Sequence, residues 1–181
     1  MKKLFVSSLI LAAIIALLGS CKDDENPKQD SSVTYDGKEY SLTKAFAALD
    51  DIEIEDDGTW YVWSLLLSDN GISYDDDEEE LKGSGDLIYA ELWTLDDDSK
   101  LPVGTFVFPE AGGNFIEEGG LYLGYDLEEE EGEEDLDDIK SASVTISKSG
   151  STYTISFSFT LLNDKVITGK YVGTVKDLTE V

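Results

Sequence analysis

From Thr152 to Leu161 the chain alternates without a break. Tyr153, Ile155, Phe157, Phe159 and Leu161 are apolar, and Thr154, Ser156, Ser158 and Thr160 separate them. Successive side chains of a β-strand point to opposite faces, so a period of two predicts one face buried and one wet. Ala142, Val144 and Ile146 alternate in the same way with Ser141, Ser143, Thr145 and Ser147. Ser149-Gly150-Ser151 supplies a turn between the two runs, and together they predict a hairpin. Asn163-Asp164-Lys165 turns into a further run over 166–176, where Gly169 and Gly173 predict bulges or close backbone approach. Near the start, runs at 33–35 and 39–43 flank Asp36-Gly37, the dipeptide of a tight hairpin turn. Residues 59–68 and 87–94 predict longer strands rich in aromatic and aliphatic side chains, and 104–108 and 121–125 shorter ones. Only 44–50 (KAFAALD) reads as a possible helical turn or two.

About nine or ten short strands separated by turn signals predict an all-β domain, an antiparallel β-sandwich in preference to a calycin-like β-barrel. Acidic segments at 53–57, 75–80, 96–98 and 126–138 resist burial and are expected to mark loops between the strands.

Charge narrows the chemistry. The 181 residues hold 40 Asp and Glu against 13 basic residues, all of them Lys, for a formal charge of −27. There is no His, and Cys21 is the sole Cys. That excludes a His-assisted Ser or Cys nucleophile, the usual zinc sites and an internal disulfide. Without Arg there is no bidentate phosphate clamp, and so acidic a chain is repelled by nucleic acid and by anionic membrane surfaces.

The N-terminus reads as an address. Met1-Lys2-Lys3 is followed by residues 4–18, in which only Ser7 and Ser8 are polar. Such a run is short for a bilayer-spanning helix, which needs about 20 apolar residues, and it suits a signal-peptide core. It ends in Leu18-Gly19-Ser20-Cys21, which resembles the bacterial lipobox. The resemblance implies removal of residues 1–20 and attachment to the membrane through lipid on Cys21. Lys22-Asp23-Asp24-Glu25 is similar to the export signal of Bacteroidetes-type lipoproteins, which implies display on the outer face of the outer membrane. A domain left facing the periplasm is the alternative. Residues 21–31 then form the lipidated Cys and an acidic tether, whose ten residues after Cys21 reach about 18 Å as a flexible coil. Residues 32–181 make one domain.

That domain is similar to a family of small Bacteroidetes-type surface lipoproteins. The residues that carry the resemblance are Asp36-Gly37-Lys38-Glu39-Tyr40-Ser41-Leu42-Thr43, Leu101-Pro102-Val103-Gly104-Thr105-Phe106, Val144-Thr145-Ile146-Ser147-Lys148 with Tyr153-Thr154-Ile155, and Thr168-Gly169-Lys170-Tyr171-Val172-Gly173. They belong to turns and strands. The resemblance implies a β fold on a lipid anchor and supplies no catalytic residues.

Several short motifs bear on chemistry. Carboxylates suit Ca²⁺, which takes six to eight oxygens, and an EF-hand loop wants Asp-x-Asp-x-Asp-Gly. Asp126, Glu128 and Glu130 come near that spacing, but Gly132 falls one place late and Glu stands where Asp is preferred. They are weak calcium candidates, and no other cofactor is expected. Ser41-Leu42-Thr43-Lys44 and Ser68-Asp69-Asn70 spell S-x-x-K and S-D-N, two elements of the penicillin-binding serine enzymes, but K-T-G is missing and the first sits on a strand. Gly83-Ser84-Gly85 lacks the third Gly and the following helix of a nucleotide loop, and reads as a hinge.

Aromatic side chains give the stronger lead. Parity puts Tyr61, Trp63, Leu65 and Leu67 on the core face and Trp60 on the other. It likewise sends Ile88, Ala90 and Leu92 inward and leaves Tyr89, Glu91 and Trp93 outside. Rings that stack on a pyranose, beside a carboxylate that accepts hydroxyl hydrogen bonds, form a sugar platform. The competing expectation is that a second sheet or the 109–120 segment covers these rings. The resulting expectation is a surface-displayed, non-catalytic binding module with a glycan or an envelope protein as ligand. An accessory subunit of an envelope complex, using a strand edge or its Ser/Thr-rich faces, is the second reading, and a carboxylate-based hydrolase the third.

Overall fold

The computed structural model describes residues 31–179, apart from 56–57, 98–99, 111–112, 130 and 133. The described chain is all-β, with thirteen strands and no helix. β1 (Ser32–Tyr35) and β2 (Lys38–Ser41) form the predicted hairpin, with Asp36 and Gly37 at φ of 49° and 75°. Two consecutive left-handed residues match the right-handed twist of the flanking strands. β3 (Lys44–Glu55) pairs with β4 (Gly58–Ser68). β5 (Ile72–Asp75) and β6 (Glu80–Thr94) form the next hairpin, followed by β7 (Gly104–Phe108), β8 (Phe115–Asp126) and β9 (Glu134–Leu136). β10 (Ile139–Ser149) and β11 (Thr152–Leu161) are the predicted hairpin, and β12 (Val166–Gly173) and β13 (Lys176–Asp177) complete the chain.

Hydrogen bonds link eleven of these strands in one path, β13-β3-β4-β6-β8-β7-β10-β11-β12-β1-β2, with β5 beside β6 and β9 beside β8. All pairings are antiparallel except β7 with β8 and β13 with β3. The sheet curls into a half-barrel. One buried cluster draws from both ends of the path: Ala45 and Ala47 from β3 pack in the same core as Val33 and Tyr35 from β1 and Ile167 and Tyr171 from β12. The all-β class therefore holds, while the pairing runs as one continuous mixed sheet and does not divide into two facing ones.

Residues 44–50 are strand, not helix. Their apolar run is continuous because this part of β3 is covered on both sides: Ala45 and Ala47 face the main core, and Phe46 faces a second cluster with Ile72 and Leu87. A strand buried on both faces loses its period of two. The second cluster exists because β5 and the first half of β6 fold over the outer face of the sheet. Gly83 and Gly85 lie inside β6 and are not a hinge. The crossing is tight, since a Cβ on Gly71 would lie 2.0 Å from the Ser84 carbonyl oxygen. Glu53 and Glu55, expected in a loop, extend the end of β3, where water reaches them.

Candidate functional site

The pairing register shows which side chains share the outer face of β3, β4, β6 and β8. Leu66 stands opposite Tyr89, Ser64 opposite Glu91, and Val62 opposite Trp93, while Phe115 of β8 stands opposite Trp93 on its other side. Trp60, Tyr89, Glu91 and Trp93 therefore share one face, which parity within each strand left open until β4 was seen to pair with β6. They do not form one open platform. Trp60 is only 5% exposed, covered where Phe115 packs edge-on against it at 5.2 Å between ring centroids. Trp93 is half-buried and stacks on Phe115 at 5.3 Å with an interplanar angle of 21°. The Trp60 and Trp93 centroids lie 6.5 Å apart. The 109–120 segment thus supplies the cover for Trp60 through Phe115, whose role sequence reasoning assigned only to the segment as a whole.

Glu91 is committed to its neighbour: its Oε1 accepts the indole N–H of Trp93 at 2.7 Å. Tyr89 belongs to a different patch. Its hydroxyl lies 3.2 Å from Ser64 Oγ, and Ser64 in turn donates to Asp50 Oδ2. Asp50 reaches Ser64 because the β3–β4 register shifts between Leu49 and Asp51, leaving Asp50 as the extra residue of a bulge. Burial pushes the Tyr89 phenol above its ordinary value. The nearby carboxylates of Glu91, Glu118 and Asp50 raise it further. Asp50 and Ser64 carried no motif in the sequence; an acid after an Ala-rich run was the only trace.

The remaining candidates are placed as follows. Cys21, Lys22, Asp23, Asp24 and Glu25 lie outside the described residues, as does Glu130. Asp126 Oδ1 accepts the backbone N–H groups of Glu128 at 2.9 Å and Glu129 at 3.2 Å, so it closes its own turn. Among the described residues, no group of three or more acidic or Cys side chains is arranged to hold a metal. Lys44 and Asn70, from the two serine-enzyme look-alikes, do become neighbours, but the Lys44 ammonium donates to the backbone carbonyls of Asn70 and Ile72. That is a tie between β3 and β5.

Compared with protein-family models, with curated proteins and with solved structures, the chain matches none.

Proposed function

We propose that this chain is a lipid-anchored, non-catalytic binding module displayed on the outer membrane, and that its ligand is a glycan held at Trp93. The observation that carries the reading is the fixed indole. Phe115 backs one face of the Trp93 ring and Glu91 holds its N–H, so the ring is ordered before a ligand arrives. A preorganised aromatic loses little rotamer entropy on binding, which leaves more of the stacking energy as affinity. Ser64, one row away on the same face, and Tyr89, two rows away, add hydroxyl groups for a sugar's edge. A hydrolase fits less well, because Glu91, the mid-strand acid of this face, is already engaged by the indole. The lipid on Cys21 would keep the domain at the cell surface, and the curled sheet is best described as an incompletely closed barrel.

Trp fluorescence of the mature chain, titrated with soluble neutral glucan, mannan and xylan, tests the glycan reading. At least one is expected to shift or quench the emission, and Trp93→Ala should abolish the response. No response from a broad glycan array would sink it. Mass spectrometry of Cys21 and protease shaving of intact cells test the anchor and the display separately.

A second reading has its own observation. On the outer face of the other half of the sheet, register aligns Ser143, Ser158, Thr168 and Thr34 in one row and Thr145, Ser156, Lys170 and Ser32 in the next. Across β10, β11, β12 and β1 these positions carry no carboxylate, in a chain with 40 acids, and the first meets one only on β2, where Glu39 stands opposite Thr34. Such a face suits contact with an envelope protein, and cross-linking in intact cells would reveal that partner.

A further inference from the structure

A separate concavity opens on the outer face beside the β5–β6 flap. Phe46, Ala48 and Leu66 line its floor, Leu81 and Leu178 its walls, and its volume is about 230 Å³. Leu178 is held there by the C-terminal segment. Its backbone N–H donates to the Ala47 carbonyl at 2.7 Å, and the Leu49 N–H donates to the Thr179 hydroxyl at 2.9 Å. The lining is apolar except at one end, where Tyr89, Ser64 and Asp50 meet.

That end has a direction. Ser64 has one hydroxyl proton and gives it to Asp50, so Tyr89 is the donor to Ser64. The series terminates at a carboxylate with acceptor capacity to spare. Among the described residues Asp50 forms no ion pair. Lys44, Lys82 and Lys176 are each engaged elsewhere, by backbone carbonyls or by other acids. Glu91 and Glu118 add further negative charge around the Tyr89 hydroxyl.

From this juxtaposition we infer that the groove is a binding site for a small organic cation, an aryl- or alkylammonium, with its apolar body on Phe46 and Leu66 and its charged head at Asp50. A neutral apolar molecule would strip water from the Asp50 carboxylate without replacing it, and an anion would meet three carboxylates. A cation satisfies the carboxylate and also finds the electron-rich Tyr89 ring beside it. The groove shares the Tyr89 and Ser64 hydroxyls with the proposed glycan surface but makes no use of Trp93, so it does not depend on the glycan reading.

The test is calorimetry and amide NMR on the mature chain with three probes: 2-phenylethylammonium, its neutral counterpart 2-phenylethanol, and methylammonium. The ammonium is expected to saturate a single site, shifting the amides of Ala48, Leu66, Tyr89 and Leu178, with the alcohol about tenfold weaker. Asp50→Asn should remove that advantage and leave the alcohol's affinity unchanged. Leu178→Asn should weaken both, and Trp93→Ala should weaken neither. Circular dichroism establishes that each variant is folded, and Leu178→Asn still tests the groove if Asp50→Asn is not. Equal affinities for ammonium and alcohol would overturn the inference. So would methylammonium reproducing the shifts, or shifts confined to the acidic turns at 75–80 and 126–131, since either means plain counterion attraction to a strongly acidic chain.

Discussion

The indole N–H of Trp93 donates to the Glu91 carboxylate at 2.7 Å, two positions back along the same strand and on the same face of the sheet. Hydrogen bonds to a charged acceptor are among the stronger ones, though water reaches this pair and reduces the net value. Glu91→Ala is expected to lower stability by about 1 kcal/mol and to broaden the orientations of the ring. Glu91→Gln keeps an acceptor and should cost less than half as much. Urea titrations of the three proteins check the order, and an Ala variant as stable as the parent would contradict it.

Gly169 stands opposite Phe157 in the β11–β12 register. A Cβ there would lie 2.4 Å from Phe157 Cζ and 2.5 Å from the Ser32 carbonyl oxygen. One neighbour is backbone and cannot yield without breaking the β1–β12 pairing. Gly169→Ala should therefore destabilise by about 1–3 kcal/mol, the usual penalty of overpacking. Combining it with Phe157→Leu should recover part of that loss, because the ring is half of the obstruction. Thermal midpoints of the single and double variants decide the point.

Two fully buried aromatics should differ sharply in how much a smaller side chain costs. Phe106 is 0% exposed and wholly apolar, so Phe106→Ala should cost about 3–5 kcal/mol. Trp63 is also 0% exposed, but its Nε1–H finds no hydrogen-bond partner among the described residues. Trp63→Phe leaves a smaller cavity and removes an unsatisfied donor worth about 1–3 kcal/mol, so the two effects offset. It should change stability by less than about 1 kcal/mol. A loss for Trp63→Phe as large as that for Phe106→Ala would mean that the donor is satisfied.

Stability should pass through a maximum at mildly acidic pH. Repulsion within a chain of charge −27 weakens as carboxylates are protonated, which favours the folded state on the way down from neutrality. The opposite limb comes from acids held below their ordinary values. Asp75 is lowered first by the backbone N–H of Asp77 and then by Lys82, and Asp164 is lowered by Lys140. A group with a depressed folded pKa contributes stability that is complete above its unfolded value, about 3.8 for Asp, and is lost as pH falls through the folded one. Midpoints measured from pH 7 down to about pH 2.5 should thus rise and then fall. Asp75→Asn should shallow the acid limb and leave the rise unchanged.

Alternation was enough to locate most strands and to give the facing of their side chains. The run from Thr152 to Leu161 is β11 to the residue, and Asp36-Gly37 makes its hairpin turn, because both depend on backbone geometry within a few positions. The common face of Tyr89, Glu91 and Trp93 within β6 was legible for the same reason. Which strands pair, and what lies over a face, was not. β3 concealed its period because the β5–β6 flap buried its second side, and Trp60 lost its exposure to a ring contributed by β8. The Asp50 bulge reset the parity of the rest of β3, which no local pattern announces. Strand direction follows from adjacent residues, whereas partner choice and coverage follow from long-range competition for apolar surface. The first can be read along the chain; the second was decided only when the sheet curled and brought its distant segments together.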